Sequence, residues 1–108
     1  MSIQELLDRL RADDLVWMER SSRPGQPPKR ISYTSSFLNN VADVFEARGL
    51  DQARLYASSK LNSKDDGAAR GVLRVLDYIA DCPAARDDPP VGRTVIKALT
   101  DVCRAVKR

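Results

Sequence analysis

The chain contains no histidine. Histidine is the side chain whose unperturbed pKa lies nearest neutrality. Its absence excludes Ser-His-Asp and Cys-His catalysis and every zinc site that needs an imidazole. Two cysteines cannot supply four thiolates either. Only five glycines occur, with no Gly-rich turn, and neither a GxxxxGK[ST] loop nor an EF-hand loop is present. The longest unbroken apolar run is Leu15-Val16-Trp17-Met18, far short of the roughly 20 residues of a membrane span. These absences point to a protein that is not an enzyme and carries no cofactor and no metal. They also point away from the membrane and, with so few cysteines and no signal-like start, toward the cytoplasm.

What is present suits one small domain. The chain has 108 residues, 43% of them hydrophobic and 31% charged. Folding at this size hides roughly 65% of the extended-chain surface, enough for one modest core. Net charge is only +3, from 18 Lys+Arg and 15 Asp+Glu, but it is unevenly spread. Residues 1–19 hold two basic and five acidic side chains, a net of −3, whereas residues 20–30 carry +4 and residues 91–108 another +4.

The patterning is helical along most of the chain. Ser2-x-x-Glu5 fits a capping box, followed by Ile3, Leu6, Leu7 and Leu10 on one stripe. Thr34 to Ser36 offers an N-cap for a helix carrying Phe37, Leu38, Val41, Val44 and Phe45, and Gly49 is a natural stop. Asp51 can cap a shorter helix bearing Leu55, Tyr56 and Leu61. A strong stripe runs through Ala69, Val72, Leu73, Leu76, Ile79 and Ala80 up to Pro83, and a last one through Val95, Leu99, Val102, Cys103 and Val106. Prolines and glycines mark loops at 20–30 and 83–92. The expected fold is therefore a mostly α single domain over 1–108, a bundle of four or five helices. Residues 15–34 read either as helix or as a short β-hairpin. The last two helices should pair antiparallel, which would hold Cys82 and Cys103 ~18 Å apart along the axis at 1.5 Å per residue. That excludes a disulfide, whose Cα atoms need ~4.4–6.8 Å.

Two segments carry the functional expectation. The 20–30 loop brings Arg20, Arg23, Lys29 and Arg30 together with no acid between them. The final helix carries Arg93, Lys97, Arg104, Lys107 and Arg108 against Asp101 alone, with Arg93, Lys97 and Arg104 near one side at 100° per residue. Arginine forks and ammonium groups in such clusters bind phosphates. The sequence thus favours a small nucleic-acid-associated accessory or regulatory protein that contacts phosphate backbone with little base readout. The alternative is a protein–protein interaction module, whether adaptor, inhibitor, subunit of a larger assembly or homo-oligomer. Trp17, Met18 and Tyr33 are then its candidate contact residues, because Trp and Met favour interfaces. The doublets Asp13-Asp14, Asp65-Asp66 and Asp87-Asp88 read as caps and turns rather than metal or acid–base sites.

Overall fold

The computed structural model describes residues 1–19, 25, 29–61 and 66–106, with the backbone alone for 19, 29 and 101–106. Helices dominate: α1 (Ile3–Ala12), α2 (Asp14–Trp17), α3 (Ser35–Arg48), α4 (Leu50–Ser58), α5 (Gly67–Ala80), α6 (Pro83–Arg86) and α7 (Pro89–Val106). Two short strands, β1 (Met18–Glu19) and β2 (Lys29–Arg30), pair antiparallel, Met18 opposite Arg30 and Glu19 opposite Lys29.

Local chemistry accounts for most boundaries. The Ser2 hydroxyl accepts the Glu5 amide at 3.1 Å and starts α1. Asp13 ends α1 and caps α2, its carboxylate accepting the Leu15 amide at 3.0 Å. Thr34 caps α3 through the Phe37 amide. Gly49, at φ +93°, is the single residue between α3 and α4 and caps both. Only glycine takes that backbone conformation at no steric cost. Asp51 therefore sits in the first turn of α4 instead of capping it.

The core gathers Leu6 and Leu10 of α1, Val16 and Trp17 of α2, Leu38, Val41 and Phe45 of α3, a dense stripe of α5, and Val95, Ile96 and Leu99 of α7. On α4 the buried positions are Ala53 and Ala57, and Leu55 is 62% exposed. Two alanines one turn apart let the α4 backbone lie close to its neighbours, so the larger side chain is turned out.

Two expectations need correction. Helical segments among the described residues number seven, not four or five, because two single turns, α2 and α6, are added to five longer helices. The 83–92 segment is not a loop. Pro83 occupies the first turn of α6, and Pro89 and Pro90 begin α7. A proline costs nothing at the start of a helix, where its missing amide would have no partner, so these prolines are starts rather than stops. As a result α7 packs chiefly on α3, while α6 bridges it to α5. Residues 15–34 combine the two readings: residues 14–17 turn as helix, β1 and β2 then pair antiparallel over two residues each, and the Ile31 amide donates to the Trp17 carbonyl at 2.8 Å, while 20–24 and 26–28 lie outside the described residues. Cys82 is a buried free thiol that donates to the Met1 carbonyl at 3.3 Å.

Candidate functional site

The register of α3 against α7 organises the charged surface. Arg93 pairs with Asp43. Phe45 lies where a side chain on Gly92 would stand, with its Cζ 2.5 Å from that position. Further on, Ser35, Leu38 and Asn39 face Thr94, Lys97, Ala98 and Thr100 across an open groove of about 510 Å³. Residue numbers fall along α3 as they rise along α7, so the helices are antiparallel. The end of α7 therefore runs past the N-terminus of α3. Residues 101–106 extend about 9 Å beyond Thr100 at 1.5 Å per residue.

The groove is chemically suited to an anion. Lys97 is exposed, and Ser35, Asn39 and Thr100 add hydroxyl and amide groups around it. Thr94 spends its hydroxyl proton on the Pro90 carbonyl, at 2.9 Å. The partly positive N-terminus of α3 lies at the same place. Five residues upstream is Arg30, exposed at the end of β2, so its backbone lies within about 18 Å of Ser35.

The predicted basic residues thus divide. Lys97 lines the groove, and Arg104 belongs to the turns of α7 that pass beyond it. Lys29 and Arg30 lie on β2. Arg93 is on the same helix but is met by Asp43, whose carboxylate accepts its hydrogen bond and raises the guanidinium pKa above its already high value. Arg20, Arg23, Lys107 and Arg108 lie outside the described residues.

Trp17, Met18 and Tyr33 are a correction. Trp17 is 3% exposed and Tyr33 8%, and Met18 is half-buried against the core. The Trp17 indole donates to the Leu10 carbonyl at 2.6 Å, and the Tyr33 hydroxyl donates to the Val16 carbonyl. Their rings meet edge to face with centroids 6.1 Å apart. Both polar tips are satisfied by backbone, as buried Trp and Tyr require, and neither ring offers a surface to a partner. Of the apolar run only Leu15 is exposed, at 42%.

Ion pairing takes up much of the remaining positive charge. Besides Arg93, the described residues pair Arg11 with Asp8, Arg54 with Asp77, Arg70 with Asp66, Arg74 with Asp13 and Arg86 with Asp87. Asp13 stands apart because it also accepts from the Tyr78 hydroxyl at 2.7 Å. Burial pushes its carboxyl up, but the bonds from Tyr78, Arg74 and the Leu15 amide outweigh that and hold it below the usual carboxylate range. The same bond to Asp13 raises Tyr78. This cluster ties the α1–α2 junction to α5.

Two features escaped the sequence. Phe37 and Tyr56, read there as core stripe residues, are half-buried and nearly parallel, with centroids 6.2 Å apart at 29°. Lys60 stands over Tyr56, its Nζ 5.5 Å from the ring centroid. Spacing of four between Tyr56 and Lys60 is the only sequence signal for that contact. The second feature is an apolar groove of about 280 Å³ between α1 and α7, lined by Ile3, Leu7, Val91 and Val95 among others.

Among the described residues no cluster of His, Cys, Asp and Glu could hold a metal ion, and no helix is long and apolar enough to cross a membrane. No family model matches the chain, and comparison with curated proteins and with solved structures gave no match.

Proposed function

We propose that the protein binds nucleic acid through phosphate-backbone contacts at the end of the bundle where α3 begins. The observation that carries this reading is the antiparallel α3–α7 register. It sets Lys97, its polar groove and the last turns of α7 beside the α3 N-terminus, within reach of the strand that ends the basic 20–30 segment. Lys97 and the β2 residues Lys29 and Arg30, from two basic segments far apart in sequence, are then offered to one ligand. Six other arginines, Arg11, Arg54, Arg70, Arg74, Arg86 and Arg93, are each met by an aspartate. The role is that of an accessory or regulatory binder without catalysis, and its affinity is electrostatic and indifferent to base sequence.

The test is a fluorescence-anisotropy titration of a labelled oligonucleotide at ~50 and ~200 mM salt. Binding should weaken steeply with salt, since released counterions drive it. Lys97→Gln should reduce the slope of log affinity against log salt by about one contact, ~0.7–0.9, without lowering the melting temperature. Absence of binding at ~50 mM salt would overturn the reading.

A second reading rests on the apolar groove between α1 and α7, which accepts apolar side chains of a partner protein. Under it, charge substitutions at Lys97 would leave binding unchanged, and a charge placed in the apolar groove, Leu7→Glu, would abolish capture of the partner.

A further inference from the structure

We infer that this end of the molecule takes single-stranded rather than duplex nucleic acid, with the Phe37–Tyr56 pair as the platform on which an unpaired base stacks. The inference rests on the phosphate-backbone reading above and adds the class of ligand. Its basis is where the aromatic pair lies. Phe37 belongs to the first turn of α3 and Tyr56 to the second half of α4, and the helices run antiparallel about Gly49. The pair therefore sits at the same end of α3 as the Lys97 groove. α4 and α7 both pack on α3. Packed helices stand 8–10 Å apart, so the axes of α4 and α7, both packed on α3, lie at most about 20 Å from each other.

The two rings pack on the edge of the core without being sealed inside it. Trp17 and Tyr33 are sealed inside, whereas Phe37 and Tyr56 are both left half-buried at the edge of the core cluster. Lys60 lies over Tyr56 with its Nζ 5.5 Å from the centroid, so a base that stacks on the ring displaces that ammonium toward its own neighbouring phosphate. Aromatic platforms flanked by cations are how proteins hold unpaired strands, because every base has a π-face and each phosphate needs a positive partner. A duplex buries those faces in its own stack. The aromatic pair adds nothing to duplex binding, and discrimination between the two forms follows.

The experiment compares a fluorescein-labelled oligothymidine of about 20 nucleotides with a duplex of equal length at ~50 mM salt. It uses the full chain and its Tyr56→Ala, Tyr56→Phe and Tyr56→Leu variants. The single strand should bind about tenfold tighter than the duplex. Tyr56→Ala should lose about tenfold on the single strand and nothing on the duplex, while Tyr56→Phe keeps the ring and the affinity. Tyr56→Leu fills the same space without a π-face, so it should match Tyr56→Ala in binding even if the alanine variant melts early. If single strand and duplex bind alike, or Tyr56→Leu binds as wild type does, the stacking inference is overturned and the backbone reading stands. If neither form binds, both are overturned.

Discussion

The two ends of the α3–α7 pair are made from the same helices and serve opposite purposes. Toward the C-terminus of α3, Gly92 carries no side chain, Phe45 fills the vacant place, and Arg93 is met by Asp43. That end is closed and its charge is cancelled. Toward the N-terminus of α3 the facing residues are Ser35, Asn39, Thr94, Lys97 and Thr100. Short polar side chains leave a groove there, and a lysine supplies its charge. One helical register thus yields a structural seam and an open surface. The difference lies in side-chain volume and in whether a carboxylate stands opposite each cation.

The closed end should be the easier to break. In Gly92→Val the new Cβ would meet the Phe45 Cζ at 2.5 Å and the Ala85 carbonyl oxygen at 2.9 Å. Phe45 belongs to the core and Ala85 O is backbone of α6, so neither gives way cheaply. Overpacking of this kind costs about 2–3 kcal/mol, or a fall of about 10–20 °C in melting temperature for a domain of this size. Thermal unfolding followed by circular dichroism measures it. A valine tolerated without loss would mean that α6 and α7 are not packed as described.

The α2–α5 seam sharpens the comparison from another side, since it shows what a purely structural ion pair does here. Asp13 accepts from Arg74, Tyr78 and the Leu15 amide and is 9% exposed. Asp13→Asn keeps the shape and removes the charge, at a cost of about 1–3 kcal/mol. The pH dependence has a definite sign. Because the folded-state pKa is depressed, the stabilisation is complete above the ordinary value of 3.8. It is lost as pH falls through the lower folded-state value. Wild type and variant should therefore differ in urea midpoint at pH 7 and converge as pH falls below the depressed folded-state value. Nucleic-acid affinity at neutral pH should be the same for both.

Much of this architecture was legible in the residue pattern, and the failures share a cause. Ser2, Thr34 and Gly49 mark helix ends by local hydrogen bonding and backbone conformation, which depend on a few neighbouring residues. The apolar stripes of α3, α5 and α7 likewise follow from spacing. Pro83, Pro89 and Pro90 misled because a proline forbids the interior of a helix but suits its first turn, and sequence alone does not say which position it holds. Leu55 misled because α4 approaches its neighbours on Ala53 and Ala57, a choice made by the partner helices. The basic residues were visible as clusters. Which of them stay available was not, because Asp43 is 50 positions from Arg93 and only the α3–α7 register brings them together. Trp17 and Tyr33 flank a basic loop in sequence, yet the hydrogen bonds from their polar tips turn both rings inward.

The smallest expected effect is the most direct test of how the two ends differ. If a facing carboxylate is what silences the closed end, removing that carboxylate should convert it. Asp43→Asn removes the carboxylate bound to the Arg93 guanidinium, one turn of α7 from Lys97, and leaves only the weaker influence of Glu46 on it. The pair is surface-exposed, and such pairs contribute little to stability, so the unfolding midpoint should hardly move. Affinity for a labelled oligonucleotide should rise severalfold at ~50 mM salt. The salt slope should steepen by up to one contact, ~0.7–0.9. Arg93→Gln in the otherwise unaltered chain should change neither quantity, because its charge is already cancelled. The double variant should bind like Arg93→Gln, since the gain from Asp43→Asn passes entirely through the guanidinium. An equal gain in Asp43→Asn with and without Arg93 would show that the carboxylate acts by general repulsion along α3, and the distinction between a neutralised end and an available one would then rest on shape alone.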